Sequence, residues 1–274
     1  MTSLSLHLHG PATRREMLAN WLALLTLLAL GIVWPRADAA SDRYIRVTCG
    51  AHTAVTDAKA GAQMSDEIVF YSSPMSRGRM VHWMLEEVGA PYRFEVVNLE
   101  SGDQKKPDYL AVNPMGKVPA IVHRGTVVTE CGAICTYLAD AFPAARLAPP
   151  LDSPARGTYY RWMFFGGCCV EPAVIDRMLS RPAASRPGAL GYGCYEDTVA
   201  TLEKALTPGP YILGAQFSAA DVYIGSQIGF GMMVKALEPR PAFQEYANRV
   251  QQRPAYRRFM EKSERIAAGM KKAS

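Results

Sequence analysis

The chain predicts an α/β unit in the order βαβ-ββα over residues 66–143, followed by an all-α helical bundle over residues 153–270. Three observations carry this prediction. Short strand-like runs alternate with helix-period stretches before residue 143, a Pro- and Ala-rich break spans residues 142–154, and every periodic stretch beyond the break repeats at helical spacing.

Ile68-Val69-Phe70-Tyr71 is a short run of strand formers closed by Ser72-Ser73-Pro74, which fits a buried strand ending in a turn. Over residues 76–88 the apolar positions Met80, Val81, Trp83, Met84, Leu85 and Val88 recur at helical spacing, and Gly89 with Pro91 stops the helix. Residues 92–97 alternate as a second strand. The polar, Lys-rich stretch 101–107 reads as a loop leading to Asn113-Pro114-Met115-Gly116. Residues 118–122 and 126–128, joined by Arg124-Gly125, form a hairpin. Residues 130–142 are the next helix, with Ala133, Ile134, Tyr137, Leu138 and Ala141 on one face. Helices are then expected over 155–175, 193–206, 218–236, 242–251 and 255–268.

With 49% hydrophobic and 20% charged residues over 274 positions, the chain has ample material for a core, which excludes disordered and fibrous classes. Lys and Arg number 30 against 25 Asp and Glu, a net +5 without the dense basic runs of nucleic-acid binders, so a small molecule is the expected partner and nucleic acid is not. The 6 cysteines form no CxxC, and Cys168 and Cys169 are adjacent, a poor geometry for a structural disulfide. A reduced compartment fits better. Cys131 and Cys135 stand four apart without a histidine at zinc-ligand spacing, so no metal is expected.

Residues 1–40 are a signal-like or artefactual segment and residues 41–65 a linker. Thr13-Arg14-Arg15-Glu16-Met17-Leu18 resembles a twin-arginine export signal, followed by an apolar stretch over 18–34 and the small-x-small site Ala37-Asp38-Ala39. Retained and uncleaved, such a segment would hold the protein at a membrane. The competing reading takes Met64, just before the first strand, as the natural start. A reduced thiol chemistry favours a cytoplasmic location, with periplasmic export through residues 13–40 as the alternative.

The βαβ-ββα order places the turn after the first strand at the N-terminus of the first helix, where unpaired N–H groups and the helix dipole favour an anion such as a thiolate. Ser72, Ser73 and Ser76 cluster there with Tyr71 just before. A hydroxyl donating to a bound sulfur stabilises its ionised form; equally, any one of these serines fits a helix cap. Pro119 opens a strand, where a residue without an N–H fits best if the Val118-Pro119 bond is cis and the turn displays the Val118 backbone. Glu130-Cys131 begin the next helix, so their N–H groups suit a ligand carboxylate.

Phe70-Tyr71-Ser72-Ser73-Pro74-Met75-Ser76-Arg77, Trp83-Met84-Leu85-Glu86-Glu87-Val88-Gly89-Ala90-Pro91-Tyr92, Asn113-Pro114-Met115-Gly116-Lys117-Val118-Pro119 and Thr129-Glu130-Cys131-Gly132-Ala133-Ile134 together resemble a glutathione S-transferase, of bacterial, serine-type-like character. The resemblance covers about residues 66 to 268. It implies a thioredoxin-like N-terminal domain that binds glutathione as co-substrate, and a helical C-terminal domain supplying most of the second-substrate pocket. Phe217-Ser218-Ala219-Ala220-Asp221-Val222 is similar to the family's buried capping motif, in which Ser218 and Asp221 are structural.

Carried onto this chain, the resemblance implies that the Val118 backbone, ahead of Pro119, pairs with the cysteinyl part of glutathione. It implies that Glu130 with Cys131 grips the γ-glutamyl end, and that Lys105 and Lys117 hold the glycyl carboxylate or its neighbourhood. The catalytic hydroxyl stays open in the order Ser76, Ser73, Tyr71. A Ser usually stands where this chain has Cys131, a swap that keeps the backbone N–H and loses a hydroxyl contact. The implied activity is activation of glutathione as a thiolate and its conjugation to a hydrophobic electrophile, as in detoxification, by a homodimer. The aromatic stretch Tyr159, Tyr160, Trp162, Met163, Phe164, Phe165 is expected to present one face to that electrophile. Two alternatives are glutathione-dependent peroxidase or thiol-disulfide exchange activity, suggested by Cys131, and a non-catalytic carrier or interaction protein of the same fold.

Overall fold

The computed structural model describes residues 66–273. The signal-like segment, the linker and Cys49 lie outside the described residues. Strand β1 (Ile68–Ser72) alternates fully buried Ile68, Phe70 and Ser72 with half-buried neighbours. It pairs in parallel with β2 (Tyr92–Val96), Ile68 opposite Tyr92, through the crossover helix α1 (Gly78–Val88). A parallel pair requires such a crossover. Strand β3 (Ala120–His123) runs antiparallel to β1, Tyr71 opposite Ala120, and β4 (Thr126–Thr129) completes the sheet in the order β2-β1-β3-β4. Helix α2 (Pro107–Val112) and a 3-10 turn at Asp103–Lys105 occupy the stretch expected to be a loop. Helix α3 (Cys131–Ala141) follows β4. The order is thioredoxin-like, and the α/β class predicted from the sequence is the one found.

The rest is helical: α4 (Ala155–Phe165), a π-helical turn (Gly166–Val170), α5 (Glu171–Met178), α6 (Tyr195–Leu206), α7 (Ala219–Met233), α8 (Pro241–Gln251) and α9 (Pro254–Ala273). The helix expected over 155–175 therefore carries a π turn at its four-residue run of Gly and Cys. Gly166 is required there, because a Cβ would lie 2.8 Å from the Tyr223 ring. Helix α7 is buried nearly all round, as a central helix must be. Its capping box is complete. Buried Asp221 also accepts from the Ile212 N–H at 2.7 Å and the Tyr246 hydroxyl at 2.8 Å, so the box ties three segments together. Burial raises its pKa against the hydrogen bonds that lower it.

One hydrophobic core runs from Phe70 and Ile121 through Trp83, Leu85 and Leu138 to Tyr159, Ile224 and Phe243. Polar pairs close the seam where α1 meets α9. Glu86 accepts from the Tyr92 hydroxyl at 2.6 Å, Lys262 at 2.5 Å and Arg258 at 3.2 Å. Glu87 accepts from Trp83 Nε1 at 2.9 Å and from Arg253 Nε and Nη2 at 2.7 and 2.8 Å. His82 is buried, with Tyr92 Oη 2.8 Å from Nε2 and Ser263 Oγ 2.7 Å from Nδ1. Tyr92 gives its proton to Glu86, so Nε2 carries the ring proton and Nδ1 accepts from Ser263.

Candidate functional site

The C-terminal end of β1, the first turn of α1, the loop before β3 and the start of α3 meet at one edge of the sheet. A Cβ at Gly78 would overlap Ser72 Oγ, so glycine lets α1 begin directly against the strand end. The candidate hydroxyls differ in what they already do. Ser76 Oγ donates to the Ser73 carbonyl oxygen at 2.7 Å and accepts from the Gly78 N–H at 3.1 Å, so its proton is already committed within the turn that leads into α1. Ser72 is buried and donates to the same carbonyl at 3.3 Å. Nothing among the described residues pairs with the Ser73 hydroxyl. The Tyr71 ring is half-buried, 6.0 Å from that of Tyr109.

The Val118-Pro119 bond is cis, as the sequence predicts. Neither the N–H nor the carbonyl of Val118 is paired among the described residues. The loop is held one residue earlier, where the Lys117 carbonyl accepts from the Tyr109 hydroxyl at 2.6 Å and from Asn113 Nδ2 at 2.8 Å. Tyr109 and Asn113 thus support the display of Val118. Sequence reasoning missed both roles, because α2 is too short to show a period. The Lys117 side chain is exposed, and Lys105 donates to the Met115 carbonyl at 3.1 Å across Gly116. Beside them Gln104 Oε1 is buried without a partner among the described residues.

Glu130 caps α3 with φ 67°, a conformation that costs an L residue free energy and that concentrates at ligand sites. No side chain caps the first turn of α3, which leaves its N–H groups open to an anion. The Cys131 thiol donates to the Arg77 carbonyl oxygen at 3.6 Å. Burial, helped by the carboxylates of Glu171 and Glu130, pushes its pKa up to about 12. This is a protonated, weakly nucleophilic thiol at neutral pH. The helical side brings α5 and α7 to the start of α1, where Arg77 pairs with Glu171 at 2.5 Å. The expected aromatic face of α4 is divided differently: Tyr159, Trp162 and Met163 are core, while Tyr160 and Phe164 are exposed. Among the described residues, no group of three or more His, Cys, Asp or Glu side chains is placed to hold a metal, and no helix is long and apolar enough to cross a membrane.

The sequence model of the glutathione S-transferase N-terminal domain matches residues 73–141, the stretch that holds most of this site. Glutathione S-transferase GstA of Escherichia coli O157:H7 is 32% identical over 188 residues, covering 63% of this chain and 87% of that protein. The disulfide-bond oxidoreductase YfcG of Escherichia coli strain K12 is 27% identical over 202 residues, covering 69% of this chain and 92% of that protein. A solved glutathione transferase family member from Pseudomonas fluorescens, with two glutathione bound, superposes with a TM-score of 0.59 at 28% identity, covering 73% of this chain and 95% of that one. By its fold, its site and these relatives, the chain belongs to the glutathione S-transferase family.

Proposed function

We propose that the protein binds glutathione at this edge, holds its sulfur as a thiolate with the Ser73 hydroxyl, and conjugates it to a hydrophobic electrophile. The observation that carries this reading is that no partner of the Ser73 hydroxyl stands among the described residues, in the turn that leads into α1, beside a Ser76 whose proton is already donated. Ser73 therefore stands ahead of Ser76 and Tyr71. The free Val118 backbone and the open first turn of α3 support the expected grip on the tripeptide, with Glu130 and Cys131 at one end and Lys105 and Lys117 at the other. The glutathione thiol proton leaves to solvent, and the Ser73 O–H and the α1 dipole stabilise the thiolate. The thiolate then forms the C–S bond as a leaving group departs with its electron pair, or as the electrons pass to a conjugated carbonyl that takes up a proton. A homodimer and a role in detoxification are further parts of this proposal and rest on the family alone, and a cytoplasmic location is a third that rests on the reduced thiol chemistry.

The test is a titration of bound glutathione, following thiolate absorbance from about pH 5 to about pH 9, the range in which a free thiol of pKa about 8.5 ionises. The bound thiol is expected to ionise at least about one unit below its free value, and Ser73→Ala to lower kcat/KM toward a chlorinated aromatic electrophile by about ten- to a hundredfold. An unshifted pKa would overturn the reading.

A second reading, reduction of a disulfide by two glutathiones, is supported by the named activity of YfcG and by the two glutathiones of the Pseudomonas structure. There the thiolate of one glutathione attacks a disulfide sulfur and expels the other as a thiolate, and a second glutathione resolves the mixed disulfide. The raised pKa of Cys131 argues that glutathione sulfur, not this cysteine, carries any such exchange.

A further inference from the structure

Strand β2 ends the sheet and pairs only with β1. The Ile68 N–H donates to the Pro91 carbonyl at 3.4 Å and the Val97 N–H to the Ser72 carbonyl at 2.8 Å, so the odd-numbered residues of β2 turn their backbone groups to β1. The N–H and C=O groups of Tyr92, Phe94 and Val96 point the other way, and none of them has a partner among the described residues. Such an edge is ready to pair with another strand, and proteins commonly blunt it with a proline, a bulge or an unpaired charge. Within β2 none of these does so. Its five residues run in register along β1, and its two charges, Arg93 and Glu95, pair with each other on one face. On the other face stand Tyr92, Phe94 and Val96, the last 43% exposed.

The order of these residues fits a second copy of itself. In an antiparallel pair about a two-fold axis at Phe94, Tyr92 meets Val96, Arg93 meets Glu95 and Phe94 meets Phe94, so outward backbone groups face outward backbone groups. Arg93 and Glu95, both open to solvent, then alternate in a ring of four charges, two from each copy. A slip by two residues sets Arg93 against Arg93 or Glu95 against Glu95, and a slip by one sets outward groups against inward ones. The charges therefore favour one register. Beside this edge a groove of about 510 Å3 lies between β2 and α9, lined by Pro91, Tyr92, Phe94, Lys262, Arg265 and Ile266. The same register brings Val96 of the second copy alongside Tyr92 on the groove side, an aromatic and β-branched cross-strand pair.

We propose that the β2 edge is a docking surface for a second copy of this chain, which continues the four-stranded sheet across a two-fold axis. It stands apart from the transferase reading, since no residue assigned to glutathione lies on β2. The full chain is followed by sedimentation velocity from about 1 μM to about 1 mM, the range in which a small interface associates. Arg93→Glu and Glu95→Arg each set like charges opposite one another and are expected to weaken association by about tenfold, whereas the two substitutions together restore opposite charges and are expected to return it to within about threefold of the parent. Val96→Pro removes an outward N–H that the single chain leaves unused and is expected to weaken association as well. The comparison is read on the variants whose thermal melts match the parent's. A chain that is monomeric throughout overturns the proposal. So does an assembly that the single substitutions leave unchanged, because the contact then lies on another face, and so does a loss that the double substitution fails to restore, because the two charges then do not meet across the axis.

Discussion

Helix α1 has two differently built flanks. Toward α9, every carboxylate it buries is matched: Glu86 by Tyr92, Lys262 and Arg258, and Glu87 by Trp83 and Arg253, whose guanidinium also lies 3.5 Å from the centre of the Phe217 ring. At its N-terminal tip, toward α5 and α7, polar groups lack partners among the described residues: the Ser73 hydroxyl, and both ends of the buried Gln227 amide. A joint satisfies its buried polar groups internally, because an unpaired one costs stability. A binding site leaves some unsatisfied, because their partner is the ligand.

The largest effect that separates the two flanks is expected at Glu87. Removing a buried carboxylate strands its cation, and because Arg253 is 29% exposed the loss falls at the low end, about 3 kcal/mol for Glu87→Ala in denaturant unfolding. Gln227→Leu at the other flank is expected to lower stability by nothing measurable or to raise it. Equal losses would erase the distinction.

Acid should act on the joint before the site. Burial first, then the neighbouring Lys262 and Arg79, bring the pKa of His82 from 6.5 down to about 4 against the pull of Glu86. Between those values the unfolded chain takes up a proton that the folded chain refuses, so stability falls as pH drops through this window. At 1.36 kcal/mol per unit the ceiling is about 3 kcal/mol. Glu86 is held below its ordinary value: burial opposes this, but the hydrogen bonds from Lys262, Tyr92 and Arg258 outweigh it, so its contribution is lost only at lower pH still. Thermal melts from about pH 7 to about pH 4 should show the decline, and His82→Gln should flatten it.

The smallest effect is expected at Cys131. With its thiol pKa near 12, its thiolate is scarce at neutral pH, so Cys131→Ala should change conjugation by less than about twofold. Alkylation followed by mass spectrometry should label exposed Cys168 well before Cys131. Early labelling of Cys131 would return thiol exchange through this residue to consideration.

Much of the sheet was legible because each strand and helix carries its own period, and the Val118-Pro119 turn and the Glu130-Cys131 helix start declare themselves by local chemistry. Helix α2 was not legible, being only six residues long and held by Tyr109 and Asn113 gripping the Lys117 carbonyl. Glu86 and Glu87 stood in plain view as a motif, yet their partners on and before α9 follow no local spacing. Gln227 did leave a signal, the one amide side chain of α7, but polarity alone does not say whether such a residue is paired. The proposed preference for Ser73 over Ser76 has a similar reason: three serines share a turn, and which of them gives its proton to a neighbour depends on where the Ser73 carbonyl points.

From its residues alone the chain determined the succession of strands and helices, the capping box of α7, the cis turn and the family resemblance, because these follow from interactions among neighbours in sequence. Only the tertiary structure decided that Ser76 has given its proton away while no partner of the Ser73 hydroxyl stands among the described residues, that Cys131 is kept protonated, which cations meet Glu86 and Glu87, and that the Gln227 amide is buried without a partner among the described residues. Those outcomes depend on burial and on partners brought from distant segments, and burial sets both the cost of an unpaired polar group and the charge state of a titratable one.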